Sequence, residues 1–397
     1  MTHGFAGNIA LIIFWVSFGF VCYTFLIYPI VLFLCYALVQ LYSDMLYLAS
    51  RQERRVSRPD SDEFPGVTFI VAAYNEESHL PGKIANLRLT AYPIKKLQII
   101  FVSDGSTDRT NELLKSIPES FVEIVLLPER SGKSMALNRG VEYAAHDILV
   151  FSDASTLFAP NAVSNLVRHF FDPKIGVVCG SVQLMGSEES EQTEGAYWRF
   201  ERVLRLMESR LGATVNASGA IYALRRKCFV PLRADDLIDD FLIPMNARKF
   251  GYKVIEDPEA VATDFSADTV KSEFTRRTRL AVGSFRALRN MELASLRGFT
   301  GFAFVSHKLL RWLLPFLLMA MLTSNIFLLG TQLYIAAFVM QIAFYFWGAL
   351  GFMFHEQMKK VRFALLAYFL LTVHVAFFVG FWRCFFGEHK TTWERVN

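Results

Sequence analysis

Phe69-Ile70-Val71-Ala72-Ala73 runs straight into Tyr74-Asn75-Glu76-Glu77, and the same kind of junction recurs twice. Ile99-Ile100-Phe101-Val102 gives way to Ser103-Asp104-Gly105-Ser106-Thr107-Asp108, and Ile148-Leu149-Val150-Phe151 to Ser152-Asp153-Ala154-Ser155. Short apolar runs that stop at Asn, Asp or Gly, each followed by a helical stretch, are what a parallel sheet with a ligand at its carboxyl edge requires. A single acidic loop would be an ordinary helix cap. Three in succession predict several loops converging on one polar ligand.

Around that polar middle the chain is greasy. Of 397 residues 53 % are hydrophobic and 38 are Phe, too many for an ordinary soluble enzyme. Lys+Arg 41 against Asp+Glu 37 is nearly balanced, so bulk charge gives no argument for nucleic acid. The five cysteines form no CxxC pair, which favours reduced thiols and a reducing cytoplasm.

Residues 8–41 contain no charged side chain and exceed a signal-peptide core, so they read as a retained membrane segment. Pro29 is placed to kink it, and one long span or two tight ones are both open. Arg51, Arg54, Arg55 and Arg58 follow, which puts that side in the cytoplasm. The expected organisation is an N-terminal transmembrane segment (1–50), a linker (51–64), a cytoplasmic α/β domain (65–290), interfacial helices (291–312) and a C-terminal transmembrane region with its tail (313–397). Within the domain, residues 216–224 read as a strand. Asp239-Asp240 and Gly251 read as the capped start and stop of a helix, and residues 269–290 as a basic helix. Spans at 313–330, 333–354 and 363–382 alternate awkwardly. Both Lys359-Lys360-Arg362 and the tail from Arg383 are basic yet fall on opposite faces, a conflict that one re-entrant segment would resolve.

Gly132-Lys133-Ser134 invites a phosphate-loop reading that fails, because the required earlier glycine falls on Leu127 inside a predicted strand. A dinucleotide fingerprint is also missing, and carboxylates after the first strand would repel a pyrophosphate.

The ordered set Ala73-Tyr74-Asn75-Glu76-Glu77, Ser103 to Asp108, Gly132-Lys133 with Ala136-Leu137-Asn138, Asp153-Ala154-Ser155, Asp239-Asp240 and Arg276-Arg277-Thr278-Arg279 resembles the family 2 glycosyltransferases. The likeness is to the membrane-embedded branch that includes poly-N-acetylglucosamine, cellulose, chitin and hyaluronan synthases, and it covers residues 65–285. The fold it implies is a glycosyltransferase A-type nucleotide-sugar domain with a mixed, mainly parallel sheet, flanked by transmembrane helices. The function it implies is inverting transfer of a sugar, with N-acetylglucosamine the leading candidate, from a UDP-sugar to a growing exopolysaccharide or capsular polysaccharide. Single transfer to a polyprenyl-phosphate lipid is the alternative within enzymes, and a catalytically silent scaffold or nucleotide sensor the alternative outside them. Implied partners are the nucleotide sugar, a saccharide or lipid-linked acceptor, membrane lipids and a small membrane subunit that would complete a channel.

The resemblance also assigns roles. Asp104 would accept the uracil imide N–H, and Asn75 and Glu76 would belong to the first nucleotide loop. Asp153 takes the first place of the family's DxD motif and would hold Mg²⁺ or Mn²⁺ on the diphosphate. The second carboxylate of that motif is Ser155 here, which lowers the expected metal affinity. Arg279 would meet phosphate, and Lys133 would either do the same or stay a solvated lysine. Asp240 would be the base that takes the acceptor's proton, with Asp239 as cap or support. Ser218 and Gly219 would lie near the acceptor. The family's Gln-x-x-Arg-Trp becomes Arg276, Arg279 and Leu280, so the aromatic face usually offered to the acceptor is absent at that position. Tyr197, Trp198 and Phe200 are read as core or membrane aromatics, and Arg286 and Arg289 as lipid-facing.

Overall fold

The computed structural model describes residues 5–50, 64–185, 188–265, 270–354 and 361–387. The linker arginines, Lys359-Lys360, the tail from residue 388 and the side chains of Tyr197 and Trp198 lie outside the described residues.

The domain is built on one eight-stranded sheet. Its strands are β1 (Val67–Ala73), β2 (Leu97–Asp104), β3 (Val122–Leu127), β4 (Ile148–Asp153), β5 (Leu157–Phe158), β6 (Ile175–Met185), β7 (Ile221–Arg225) and β8 (Lys253–Phe265), in spatial order β3-β2-β1-β4-β7-β6-β8-β5. Pairing is parallel at β3–β2, β2–β1, β1–β4 and β6–β8, and antiparallel elsewhere. The chain leaves β1 for β2 on one side and returns to β4 on the other. That reversal opens a crevice beyond the carboxyl ends of β1 and β4, where such sheets bind ligands.

Alternating side chains fill both faces, as a doubly covered sheet requires. Phe69, Val71, Ile99, Phe101 and Val150 enter one core, under the helices at Leu80–Arg88 and Ala162–Val167. Ile70, Leu149, Phe151 and Tyr222 enter the other, under the helices at Lys133–Glu142 and Asp239–Lys249. The strand expected over 216–224 is shorter. It begins at Ile221, and Ser218-Gly219 form the turn before it, tied by Ile221 N to Ser218 O at 3.0 Å.

Four helices among the described residues are long and apolar enough to cross a bilayer: Phe5–Ser50, Phe299–Ile326, Gln332–Met353 and Phe363–Phe386. The first is one continuous helix of 46 residues rather than two tight spans. Pro29 does not break it. A π-turn at Tyr23–Ile27 precedes the proline and absorbs its clash with the turn before. A second π-turn, Phe304–Leu309, lies in the Phe299–Ile326 helix. Residues 299–312, read from sequence as interfacial, therefore belong to the same helix as the span that follows. The last helix does not stand apart from the domain. Its Phe377 and Phe381 rings pack on Phe285 of the basic helix Val270–Asn290 at 6.3 and 5.2 Å, and Gly380 lies on the backbone of Thr278 and Val282.

Candidate active site

The loop after β1 is locked to the loop after β2 by Asn75. Its backbone takes φ +52°, a conformation Asn tolerates better than most residues. Its Oδ1 accepts from Thr107 N at 2.8 Å and its backbone N donates to Ser106 Oγ at 3.2 Å. Asn75 thus shapes the first loop and does not line the cleft, where Glu76 and Tyr74 do. Glu76 is buried, with Oε2 3.0 Å from His79 Nδ1. The Arg130 guanidinium stacks over the Tyr74 ring at 4.0 Å.

Asp104 ends β2 and is 4 % exposed. Ser131 N donates to its Oδ1 at 2.7 Å and Gly132 N to its Oδ2 at 2.8 Å. The carboxylate therefore fixes the turn that starts the next helix, while each oxygen keeps a further lone pair toward the cleft. Gly105 is obligatory beside it. With φ +63°, a Cβ there would stand 2.5 Å from Arg130 N.

That pinned turn delivers Lys133. Its Nζ lies 2.7 Å from Asp153 Oδ1 and 3.5 Å from Asp239 Oδ1. It is neither a solvated lysine nor a free phosphate hook in this state, but the counter-ion of an acidic group. Burial works against its charge, and Asp153, Asp239 and Asp240 more than restore it, so its pKa is raised. Asp239 does not cap its helix. Its carboxylate is taken by Lys133 and by the buried Tyr222 hydroxyl, which donates to Oδ2 at 3.0 Å.

Asp240 follows, its carbonyl accepting from Ala217 N at 2.7 Å. Gly219 sits against its side chain: a Cβ there would come 3.4 Å from Asp240 Cβ and 3.6 Å from its Oδ2. Glycine thus leaves room over the carboxylate. Burial, then the Asp239 charge, push the Asp240 carboxyl up to about 6, against the pull of Lys133, Lys308 and Arg205. If Asp240 must be ionised to act, turnover is expected to fall as pH drops through about 6 and to level off above it, which a pH–kcat profile measures.

Two residues missed in the sequence brace Asp153. Lys83 is fully buried beneath its loop, donating to Ser152 Oγ and Thr156 O, both at 2.6 Å, between the Phe69 and Phe158 rings. Burial lowers its pKa to about 7, with Asp153 and Asp264 opposing. Asp264, near the end of β8, accepts from Ser155 Oγ at 3.1 Å. A carboxylate from a distant strand so reaches the place where the motif lacks one. Its only local signal was the short run Ala260-Val261-Ala262 ahead of Thr263-Asp264, in a strand that also carries Glu256, Asp257 and Glu259.

The remaining expectations divide. Arg279 lines the cleft, and its Nε is buried with no acceptor. Burial lowers its pKa against the pull of Asp153, Asp239 and Asp240. Ser218, Gly219 and Leu280 line the cleft as well. Phe200 packs beside Tyr28 and Leu204 toward the membrane helices. Arg286 is not lipid-facing as expected: its Nη1 donates to Asp235 O at 3.4 Å.

Glu76, Asp104, Lys133, Asp153, Ser218, Gly219, Asp240 and Arg279 thus open onto one cleft of about 980 Å³. The cleft continues to Trp312, Phe369, Val373 and Phe377 on the membrane helices. Its size is at the upper end of the ~300–1,000 Å³ common for ligand sites.

The architecture is that of glycosyltransferase A-type domains. It superposes on a mannosyltransferase from Pyrobaculum calidifontis, solved in complex with GDP-Man and Mn²⁺, with a TM-score of 0.69 at 21 % identity, covering 97 % of this chain and 100 % of that one. Residues 68–230 match the family described as Glycosyl transferase family 2. The chain resembles poly-beta-1,6-N-acetyl-D-glucosamine synthases. The Staphylococcus aureus protein is 27 % identical over 256 residues, 61 % of each chain, and the Staphylococcus epidermidis protein 22 % over 270 residues, 66 % of this chain and 65 % of that one. The match with the Staphylococcus aureus protein thus spans under two thirds of that relative's length.

Proposed function

We propose that this protein is an inverting membrane glycosyltransferase that moves a sugar from a UDP-sugar to an acceptor hydroxyl in exopolysaccharide synthesis, with its α/β domain on the cytoplasmic side of the cell membrane. The observation that carries the reading is the shared cleft: a candidate base, a cation-bound acid and an acceptor-free arginine face one space that reaches the membrane helices. The curated relatives support N-acetylglucosamine as the sugar.

In the step we propose, the acceptor oxygen forms a bond to the anomeric carbon as the bond from that carbon to the diphosphate breaks. The nucleoside diphosphate leaves with the electron pair, and Asp240 takes the acceptor's proton. A single displacement inverts the carbon. Arg279 has an unengaged donor for the leaving phosphate. A divalent cation would neutralise that diphosphate. Among the described residues no group of three or more metal-ligating side chains is gathered, so the protein would hold the cation mainly with the carboxylate of Asp153, where an ammonium already stands, and with Asp264, which accepts from Ser155, the diphosphate supplying further oxygens. Asp264→Asn is accordingly expected to weaken Mn²⁺ binding to the UDP-loaded protein by about tenfold, read by electron paramagnetic resonance of free Mn²⁺. Unchanged affinity would remove Asp264 from the site.

The reading is tested by supplying purified membranes with labelled UDP- and GDP-sugars, with and without chelator, and sizing the product. Chelator-sensitive use of a UDP-sugar into a saccharide product is expected; no turnover of any nucleotide sugar would rule it out.

A further inference from the structure

The membrane end of the cleft holds cationic groups that the proposed reaction does not use. Lys308 lies in the Phe304–Leu309 π-turn of a membrane-length helix and lines the cleft. An ionisable side chain in such a segment is costly unless paired or functional. Among the described residues no carboxylate stands within ion-pair distance of Lys308, although acids surround it.

Those acids are all engaged elsewhere. His307 is held at both ring nitrogens, Nδ1 2.5 Å from Glu208 Oε1 and Nε2 3.0 Å from Glu201 Oε2. The Tyr28 hydroxyl donates to Glu208 Oε1 at 2.6 Å, and Arg311 pairs with Glu201. Arg205 Nε bonds Glu256 Oε2 at 3.1 Å, but its Nη2, buried in the same cleft, has no acceptor. The turn is clamped as well, because Ser306 Oγ meets the Tyr23 hydroxyl of the other π-turn at 2.8 Å. Among the described residues this scaffold includes the Lys308 ammonium and an Arg205 guanidinium N–H that have no acceptor.

Both cations line the same cleft as the candidate base Asp240. The same cleft is also lined by the apolar side chains of Phe25, Trp312, Leu314 and Phe369. The cleft thus joins an unpaired ammonium to apolar side chains. A phosphate with a hydrocarbon tail satisfies both.

We infer that Lys308 and Arg205 form an anion subsite for the phosphate of a membrane lipid that carries the acceptor saccharide. This deepens the glycosyltransferase reading and rests on it. The lipid phosphate docks at the two cations, the tail follows the apolar side chains, and the sugar hydroxyl reaches Asp240.

The test uses the full chain in detergent and native mass spectrometry with three probes: geranylgeranyl phosphate, geranylgeraniol and inorganic phosphate. UDP binding is measured in parallel on every variant. Geranylgeranyl phosphate is expected to bind better than either other probe. Lys308→Met should weaken it by about 10–100-fold, the loss of a charged hydrogen-bond partner, while Lys308→Arg restores it. UDP binding should be equal in all variants, which shows that the fold and donor site are intact. The inference is overturned if Lys308→Met leaves the affinity unchanged, if geranylgeraniol binds as tightly, or if inorganic phosphate does. A wild-type protein that fails to bind UDP would instead count against the donor reading, whatever the lipid result.

Discussion

Asp240→Asn is expected to lower sugar transfer by about 10²–10⁴-fold, the usual contribution of a positioned base, equivalent to about 3–5 kcal/mol of barrier. The substitution is nearly isosteric. It keeps the carbonyl of residue 240 on Ala217 N and the side-chain volume that Gly219 accommodates. What it removes is the proposed proton acceptor. UDP binding should therefore survive, since the loops after β1 and β2 that we propose hold the nucleotide are tied to each other through Asn75, Ser106 and Thr107. Steady-state transfer measured beside UDP binding separates the two effects. A variant with wild-type turnover would show that Asp240 is not the base, and would favour a silent scaffold.

Lys133→Met is expected to be nearly as damaging, by a different route. The ammonium stands 2.7 Å from Asp153 and 3.5 Å from Asp239, and it holds the Asp240 carboxyl down against burial and the Asp239 charge. Without it the Asp240 carboxyl rises further from about 6. More of the base is then protonated at neutral pH. The acid limb of the pH–rate profile should move up by about one unit or more, and turnover near pH 7 should fall by about tenfold or more. Raising the pH should recover part of that loss. A profile that keeps its wild-type midpoint would refute the electrostatic link between Lys133 and Asp240.

The central strands β1, β2 and β4 were legible, because they are apolar on both faces and run into Asn or Asp. Phe69 to Ala73 and Ile148 to Phe151 admit little else. The shared cleft was legible for the same reason: parallel strands carry their terminal loops to one edge. Side-chain assignments fared less evenly, since a loop motif does not tell which partner wins. Asn75 spends its amide on Thr107, Asp104 spends a lone pair of each oxygen on backbone amides, and Asp239 binds Tyr222 instead of capping. Asp264 is 109 residues from Ser155 in sequence, and only sheet order brings them together. The His307 and Glu201 cluster was hidden in another way. Hydropathy reads residues 299–312 as an amphipathic border, and nothing local says that a π-turn will fold those polar groups inward.

The central claim is that acids from separate strands and a neighbouring helix surround a nucleotide-sugar donor in one cleft. A cryo-electron microscopy map of the full chain with UDP and Mn²⁺ tests it most directly. The expected result is nucleotide density between the loops of Asp104 and Lys133, with the diphosphate and a metal peak against Asp153 and within reach of Arg279. Nucleotide density elsewhere on the protein, with this cleft empty, would contradict it.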